Sequence, residues 1–227
     1  MPLPVSSVFV VVPAYNEATV IASVIADLLR QSAHVVVIDD CSRDDTAVIA
    51  RESGAIVLRH MFNRGQGAAI QTGLDFALRQ GGQTIVTFDA DGQHSADDLA
   101  ALVAPIHERR ADFVLGSRFA GNSQVPPLRR LMLKLAILFT RLTSGLRVTD
   151  AHNGLRAFSR RGAQSIHIRL DRMAHASEIM DQIRASGLPY VEVPVRVRYT
   201  EYARRKGQRG VHAIRVALDY LFGRWVR

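Results

Sequence analysis

The sequence predicts an α/β fold: a mostly parallel sheet with helices on both faces in the first half, and a mixed α+β second half. Three observations support this. Up to Gly116, five short apolar runs alternate with segments of helical periodicity. The runs lack polar alternation, so both faces of each strand should be buried, as in a parallel sheet. After Gly116 the regular alternation stops.

The elements of the first half follow from apolar runs and from apolar residues in helical phase. The expected strands are Val8–Val12, Val35–Ile38, Ala55–Leu58, Thr84–Phe88 and Phe113–Leu115. The expected helices are Glu17–Arg30, Asp44–Glu52, Gly67–Arg79 and Ser95–Glu108. Pro13 should end the first strand. Ser95, with Asp98 three residues on, resembles a capping box at the start of the fourth helix.

The second half mixes helices and strands. We expect helices at Leu128–Ser144, Glu178–Ala185 and Val211–Phe222, and strands at Leu155–Phe158 and Tyr190–Val197, the latter at a sheet edge. Residues 200–210 form a loop rich in Gly and Arg. No linker divides the chain, which predicts one domain over 1–227, with halves at 1–117 and 118–227.

Composition excludes several classes of protein. A chain of 227 residues with 48% hydrophobic residues can build a core, which excludes disorder. The single cysteine, Cys41, excludes an internal disulfide framework and a cysteine-based zinc site, and it favours a cytoplasmic setting. No uncharged run approaches the ~18 apolar residues of a membrane span, and the first residues lack the basic segment of a signal peptide.

Charge is distributed unevenly between the halves. Residues 1–117 contain 8 Lys and Arg against 14 Asp and Glu, whereas residues 118–227 contain 21 against 7. An acidic half favours a cation site, and a basic half favours an anionic partner such as phosphate, a membrane surface or nucleic acid. A metal-bound diphosphate would satisfy both halves.

The strongest candidate for chemistry is Asp89-Ala90-Asp91, directly after the fourth strand. Two carboxylates one residue apart can hold Mg²⁺ or Mn²⁺, which prefer oxygen ligands and keep positions open for substrate phosphates. Gln93 and His94 are further possible ligands. The alternative is a polar turn, because Asp and Gly are common in turns.

Two other strand ends carry acids. Asp39 and Asp40 follow the second strand and could accept hydrogen bonds from a nucleobase or ribose, or could simply precede a capped helix. Glu17 follows the first strand, where it could merely favour a helix N-terminus. Ligands bind at the carboxyl ends of such strands, so acids at three of these ends together favour a binding site.

A glycine-containing segment bears on a second possible function, the binding of a dinucleotide such as NAD or FAD. Arg64-Gly-Gln-Gly67 resembles the start of a dinucleotide-binding fingerprint, but Ile70 replaces the third glycine and the segment follows the third strand. Binding of NAD or FAD is therefore excluded, as is a P-loop, whose pattern is absent from the sequence. Gly67 should instead let a helix N-terminus approach the sheet or a phosphate.

Together these segments resemble the family 2 glycosyltransferases, and in particular the polyprenyl-phosphate (dolichyl-phosphate) sugar synthases. The segments that carry the resemblance to the family are Val10–Glu17, Ile38–Ser42, Asn63–Ala69, Phe88–His94 and Gly116–Phe119. Those that carry the resemblance to the branch are Asp150–Phe158, His175–Ile179, the stretch from Glu192 and the basic Arg204–Gly207. They occur in order from about residue 7 to about residue 210.

The resemblance implies the GT-A fold, which is Rossmann-like, with a nucleotide-sugar donor and Mg²⁺ or Mn²⁺ as cofactor. It implies that Pro13, Tyr15, Glu17 and Asp39 or Asp40 surround the nucleoside, and that Gly67, Ala90 and Lys206 also lie at the donor. It implies Asp89, Asp91 and Gln93 at the metal and diphosphate, and Arg118 facing the phosphates or the acceptor. Cys41 departs from the acidic or small polar residue expected after Asp40, which leaves open which Asp meets the base.

The chemistry of transfer separates two acceptors. A metal at Asp89 and Asp91, with Arg118 and Lys206, would stabilise the diphosphate leaving group. A phosphate acceptor is already ionised at neutral pH and needs no base. A hydroxyl acceptor would need one, for which Asp150 and Glu178 are candidates; Asp150 could instead be a turn residue or a partner of Arg156.

The helix at 128–143 bears on the acceptor. Arg130, Lys134 and Arg141 form a basic stripe beside a leucine face, which suits a membrane interface, a core helix or a dimer seam. Residues 118–161 contain nine Lys and Arg and one acid, which favours a lipid. A polyprenyl phosphate acceptor, met by peripheral membrane binding or through a membrane-anchored partner, fits both properties.

Three other functions compete with this hypothesis. One is a family relative that glycosylates a soluble sugar or polysaccharide hydroxyl. The second is a nucleotidyltransferase. In that class of enzyme the loop after the first strand is usually basic and Gly-rich, whereas Pro13–Glu17 in this chain is acidic. The third, a nucleic-acid binder suggested by pI ≈ 10.5, would not need acidic strand ends, so we expect no nucleic-acid partner.

Overall fold

Seven strands of the chain form one mixed sheet. The computed structural model describes residues 8–31, 33–120, 137, 145–150, 153–171 and 174–198. The strands are β1 (Val8–Ala14), β2 (His34–Asp39), β3 (Ile56–Arg59), β4 (Thr84–Thr87), β5 (Phe113–Ser117), β6 (Arg156–Ser159) and β7 (Tyr190–Pro194). Their order across the sheet is β3-β2-β1-β4-β6-β5-β7. Of these seven, β6 alone runs antiparallel to its neighbours, so the mostly parallel sheet predicted from the apolar runs is confirmed.

Helices cover both faces of this sheet. They are α1 (Ile21–Leu29), α2 (Thr46–Glu52), α3 (Gln66–Arg79), α4 (Leu99–His107), α5 (Arg160–Gln164) and α6 (His175–Ser186), with a 3₁₀ turn at Ala96–Asp98. Alternate strand residues point to opposite faces. Val10 and Val12 therefore join the core beneath α1 and α4, whereas Phe9 and Val11 join the core beneath α3 and α6. Strands buried on both faces explain the unbroken apolar runs.

Pro13 does not end β1 as expected. The strand continues to Ala14, and Pro13 pairs in register with Ile38 of β2. The hydrogen bonds between β1 and β4 end before Pro13, and the last of them is Phe88 N donating to Val11 O at 2.9 Å. Backbone N–H groups point alternately to the two neighbouring strands. Position 13 therefore faces the β4 side, beyond this last hydrogen bond, where Pro13 has no N–H to donate. Proline is tolerated there because no ladder hydrogen bond is lost.

Two expected helix starts are also different. Helix α1 begins at Ile21, because residues 18–20 form a turn in which Val20 N and Ile21 N both donate to Glu17 O at 3.0 Å. The capping box at Ser95 is wrong, since Ser95 Oγ donates to Asp97 Oδ2 at 3.2 Å and caps no backbone N–H. The sequence analysis also missed α5, where Ser159 Oγ accepts a hydrogen bond from Gly162 N.

Several expected segments lie outside the described residues. They are helix 128–144 apart from Ile137, the loop at 200–210 with Lys206, and helix 211–222. In the part of the chain that the structure describes, no helix combines the length and the apolar character needed to cross a bilayer. The edge position expected for the strand at Tyr190 is confirmed, since β7 ends the sheet.

Asp112, at the start of β5, should contribute stability that depends on pH. Its carboxylate accepts hydrogen bonds from Arg161 and Ser159. The hydrogen bond from Arg161 lowers the pKa of Asp112 most, burial opposes it, and the Ser159 hydrogen bond and the Arg161 charge lower it further. A folded-state pKa below the unfolded value gives stability that is present above about pH 4 and is lost as pH falls through the folded pKa.

We therefore expect Asp112→Asn to lower the melting temperature at pH 7 and to approach the wild type as pH falls towards 3. Thermal unfolding between pH 3 and pH 7 measures this. Asp27→Asn is the control, because Asp27 pairs with Arg30 on the exposed surface and should change stability by less than about 0.5 kcal/mol. A difference between Asp112→Asn and wild type that stays constant with pH would contradict the assignment.

Candidate active site

The loops that follow β1 and β2 are hydrogen-bonded into one unit at the carboxyl edge of the sheet. Asn16 N donates to Ser42 Oγ at 2.9 Å, Glu17 N donates to Thr46 Oγ1 at 2.8 Å, and Arg43 N donates to Asn16 Oδ1 at 2.8 Å. This arrangement buries Pro13 and Glu17 but leaves Tyr15 37% exposed. The Tyr15 ring is thus accessible from solvent, beside acids at the strand ends.

The two acids after β2 have different surroundings. Asp40 is saturated by the loop that follows β3: Oδ1 accepts from His60 Nδ1 at 2.7 Å and Arg64 N at 2.9 Å, and Oδ2 accepts from Gly65 N at 2.6 Å. Asp39 Oδ1 accepts from Ser42 N at 3.2 Å. Asp39 Oδ2 lies 2.9 Å from Arg59 Nε, an ion pair without hydrogen-bond alignment. Of the two, Asp39 retains an oxygen that could accept a further hydrogen bond.

Cys41 has a backbone conformation that normally favours glycine. Its φ is +63°, in the left-handed region, where a side chain costs roughly 1–2 kcal/mol. The thiol lies 3.6 Å from the carbonyl oxygen of Met61. The turn that orients Asp39 and Asp40 in opposite ways is therefore kept in place by surrounding contacts rather than by the local preference of residue 41.

Asp89, two residues past the end of β4, is held by two side chains. Gln66 Nε2 donates to Oδ1 at 3.0 Å, and His94 Nε2 donates to Oδ2 at 3.2 Å. Burial alone would raise the pKa of Asp89. The hydrogen bond and charge of His94, with the charges of Arg156 and His175, instead hold this pKa below its usual value. Asp89 is thus a fixed carboxylate that stays ionised.

Asp91 lies near Asp89, but its pKa is shifted in the opposite direction. Its Oδ1 accepts from the backbone N of Gln93 at 3.0 Å, and its Oδ2 accepts from Gln93 Nε2 at 2.7 Å. Burial raises the pKa of Asp91 most, the charges of Asp89 and Glu17 raise it further, and Gln93 and His94 oppose the rise. The structure therefore brings Glu17, Asp89 and Asp91 within electrostatic reach of one another.

These carboxylates do not form a complete metal cage. Among the described residues, no group of three or more His, Cys, Asp or Glu side chains is close enough to hold an ion. Ala90, between the two acids, is buried and keeps the turn packed on the core. Gln93 presents its amide nitrogen to Asp91, so it would have to turn this amide over to act as a ligand. An ion held here would have to take most of its ligands from groups other than these side chains.

A buried ion pair lies at the end of β5. Arg118 Nε donates to Asp150 Oδ2 at 2.6 Å, and Arg118 N donates to the same oxygen at 3.1 Å. The side chains are only 6% and 1% exposed. Asp150 Oδ1 is buried and, within the described residues, has no hydrogen-bond partner. The sequence analysis expected Asp150 to be a base, a turn residue or a partner of Arg156; Arg118 is its direct partner.

Glu192 of β7 fixes the loop that carries Asp150. Its carboxylate accepts from Thr149 N at 2.8 and 3.0 Å, from Thr149 Oγ1 at 3.0 Å and from Asp150 N at 3.2 Å. Ser117 Oγ pairs with Thr149 Oγ1 at 2.7 Å. Strands β5 and β7 thus set the position of Asp150 relative to Arg118.

Arg156 connects this pair electrostatically with the strand-end acids. As the first residue of β6, it pairs in register with Thr87 of β4 and Leu115 of β5, and it is buried. Burial lowers its pKa to about 10, while the charges of Asp89 and Asp150 oppose the fall. The buried Arg156 guanidinium is therefore within electrostatic reach of both Asp89 and Asp150.

Two predicted residues have structural partners of their own. Gly67 N donates to Asp171 O at 2.7 Å, and a Cβ at Gly67 would lie 2.3 Å from the carbonyl oxygen of Leu170. This close approach is a sufficient reason for the glycine, and a donor contact there remains a prediction. Glu178 is buried, and its Oε2 accepts from Arg169 N and Leu170 N, so this carboxylate holds the same loop and is poorly suited as a base.

The sequence analysis missed the contacts of Gln66, Gly154 and Glu192. Gln66 begins α3, after the loop that follows β3, so extending the search for strand-end ligands to that loop would have found it. Glu192 lies in a stretch that carries the family resemblance, but its contacts with Thr149 and Asp150 depend on β7 pairing beside β5.

The chain can now be compared with known proteins. The sequence profile described as "Glycosyl transferase family 2" matches residues 9–166. The chain is 33% identical over 223 residues to UDP-N-acetylglucosamine–dolichyl-phosphate N-acetylglucosaminyltransferase of Methanococcus voltae, with 88% of this chain and 89% of that protein covered. It is 31% identical over 206 residues to polyprenol monophosphomannose synthase of Mycolicibacterium smegmatis, with 85% and 77% covered.

The fold also matches solved structures. Glucosyl-3-phosphoglycerate synthase from Mycobacterium tuberculosis, in complex with Mn²⁺, UDP and glucosyl-3-phosphoglycerate, superposes with a TM-score of 0.67 at 21% identity, over 95% of this chain and 80% of that one. A further structure of that enzyme contains Mg²⁺ and UDP. The seven-stranded sheet, the acids at its strand ends and these matches lead to one conclusion: the chain is a glycosyltransferase that has the GT-A fold and belongs to glycosyl transferase family 2.

Proposed function

We propose that this enzyme is an inverting glycosyltransferase that moves a sugar from a nucleotide-sugar donor to a polyprenyl phosphate, with Mg²⁺ or Mn²⁺ as cofactor. The observation that carries the proposal is the pair of acids Asp89 and Asp91 at one edge of the sheet, with the buried Arg156 within electrostatic reach of both Asp89 and the Asp150 that pairs with Arg118. The names of both relatives, a dolichyl-phosphate and a polyprenol enzyme, support the lipid acceptor.

The residues at the strand ends fit a divalent metal. Like charges at Glu17 and Asp89 raise the pKa of Asp91 together with burial, and a bound cation relieves such repulsion. Asp89 and Asp91 would hold the ion and Gln93 could complete the protein ligands, which leaves positions for a diphosphate. Bound there, the metal would supply a Lewis acid that offsets the charge of the leaving diphosphate.

The remaining donor contacts follow from exposure and free hydrogen-bonding capacity. Tyr15 offers an exposed ring to the nucleoside. Asp39 is fully buried, and its Oδ2, which lies beside Arg59, would have to be uncovered before it could accept a hydrogen bond from the base or ribose. Asp40 instead orders the loop that leads into α3. Arg118 would stabilise phosphate charge during transfer. Lys206 stays in the proposal as a second such cation, although it lies outside the described residues.

A phosphate acceptor fits the surroundings of Asp150. The phosphate is largely ionised at neutral pH and can attack the anomeric carbon without a protein base. Asp150 is already engaged by the side chain and the backbone N–H of Arg118, so Asp150 would act by orienting Arg118. Attack from the face opposite the departing diphosphate inverts the anomeric centre.

A second candidate function has an observation in its favour. Asp150 Oδ1 is buried without a hydrogen-bond partner among the described residues, and it could accept the proton of a sugar hydroxyl. Transfer to a soluble or polysaccharide hydroxyl is therefore the alternative. The basic stripe of Arg130, Lys134 and Arg141, which would meet a membrane surface directly or beside a membrane-anchored partner, lies outside the described residues and favours the lipid from sequence alone.

A panel of nucleotide sugars tests the proposal, with polyprenyl phosphate, 3-phosphoglycerate and simple sugars as acceptors. We expect one donor to give a polyprenyl-phosphate sugar with Mn²⁺ or Mg²⁺ present and no product with chelator. Product from a hydroxyl acceptor alone would favour transfer to a soluble or polysaccharide hydroxyl. Undiminished transfer in chelator would contradict the proposed dependence on Mg²⁺ or Mn²⁺. Asp97→Asn, at an exposed acid near the site, should behave like the wild type.

A further inference from the structure

Gly154, between Asp150 and β6, has no room for a side chain. A Cβ built at this position would lie 2.2 Å from Asp89 Oδ2, 2.5 Å from Oδ1 and 2.6 Å from Cγ. All three distances are far below van der Waals contact. The φ of Gly154 is outside the left-handed region, so backbone conformation does not require glycine here. The space occupied by the Asp89 carboxylate is what excludes a larger residue.

Neither partner can easily move away from the other. Thr87 Oγ1 donates to Gly154 O at 2.7 Å, which ties the glycine to the last residue of β4, two residues before Asp89. Gln66 Nε2 and His94 Nε2 each donate to one Asp89 oxygen. Any group at 154 that turned the carboxylate would therefore break at least one of these hydrogen bonds.

We propose that Gly154 is a positioning residue whose missing side chain sets the orientation of the Asp89 carboxylate, and through it the affinity for a divalent metal. This inference rests on the proposed function, in which Asp89 and Asp91 hold that metal. Residues that orient a metal ligand without touching the ion matter for binding: their substitution commonly weakens metal affinity by about 10- to 100-fold. Gly154 would act in the same way, by leaving space instead of by donating a hydrogen bond.

Gly162 provides a matched control at the other end of the β6 segment. A Cβ there would lie 2.6 Å from the carbonyl oxygen of Asp112 and 3.2 Å from Phe113 Cε1. Both glycine-to-alanine changes add a methyl group to a packed place and should lower the melting temperature. Gly154→Ala alone contacts Asp89, so stability and metal affinity can be separated.

The experiment titrates Mn²⁺ alone into wild type, Gly154→Ala, Gly162→Ala and Gln66→Ala, and follows free Mn²⁺ by electron paramagnetic resonance. We expect Gly154→Ala to weaken Mn²⁺ binding by about 10- to 100-fold. Gln66→Ala, which removes one hydrogen bond to Asp89, should weaken it less. Gly162→Ala should lose stability but keep the wild-type dissociation constant.

Wild-type Mn²⁺ affinity in Gly154→Ala, or an equal loss in Gly162→Ala, would overturn the inference. If Gly154→Ala does not fold, Gln66→Ala decides: weakened Mn²⁺ binding supports control of the Asp89 orientation, and unchanged binding overturns it. A wild type that binds no Mn²⁺ overturns the metal site and this inference together. A wild type that binds Mn²⁺ but transfers no sugar overturns the proposed function, while the Gly154 comparison still stands.

Discussion

Asp91→Asn should abolish most activity and yet stabilise the protein in the presence of chelator. The amide is a poor ligand for a hard cation, so we expect a loss on the order of 10²-fold or more, since even outer-shell changes cost 10- to 100-fold. Stability should rise because burial and the charges of Asp89 and Glu17 oppose ionisation of Asp91 in the fold. This gain should appear as a higher melting temperature of Asp91→Asn in chelator.

The pH dependence of that gain has a definite sign. The folded-state pKa of Asp91 is raised, so its favourable contribution is complete below the unfolded pKa and is lost as pH rises through the folded pKa. Asp91→Asn should therefore match the wild type near pH 3 and exceed it increasingly towards pH 7. Melting curves in chelator measure this, with Asp97→Asn as control. Equal melting temperatures at pH 7, or full activity in Asp91→Asn, would contradict the site.

The sequence predicted those features that depend on local pattern. Apolar runs located β1 to β5 to within a few residues, because most of these strands are buried on both faces and are therefore apolar throughout, whereas β6 and β7 were located without such runs. Acids at strand ends located Glu17, Asp39 and Asp89, because parallel strands bring their carboxyl ends to one edge. The strand end predicted at Pro13 and the capping box predicted at Ser95 were wrong because they depend on contacts that local sequence does not reveal. These contacts are the last hydrogen bond between β1 and β4 and the hydrogen bond from Ser95 to Asp97.

Contacts between distant segments could not be predicted in the same way. Asp39 and Asp40 are adjacent and identical in sequence, yet Asp40 is saturated by the loop at residues 60–65 and Asp39 faces Arg59. Gly154 and Asp89 meet because β6 inserts antiparallel between β4 and β5. Local sequence places these acids at one edge of the sheet, but it does not reveal which of their atoms are already engaged by distant residues.

The Arg118–Asp150 pair should show the second large effect, in stability and in activity together. Arg118→Met leaves Asp150 buried without the Nε donor, and breaking a buried ion pair by removing one partner costs about 3–5 kcal/mol. If Arg118 also stabilises the departing diphosphate, turnover should fall by roughly 10²–10³-fold, the usual effect of removing one such donor. Urea unfolding and turnover at saturating donor measure the two losses separately.

The double variant Arg118→Met with Asp150→Asn distinguishes a structural pair from one that acts on substrate. Removing both charges takes away the unpaired buried carboxylate, so much of the lost unfolding free energy should return. Activity should stay low, because the proposed contact of Arg118 with the phosphates would be absent. Arg30→Met is the control, since its pair with Asp27 is exposed and worth little. Recovery of activity along with stability would show that the pair only supports the fold, and Asp150 would then lose its place in the mechanism as well.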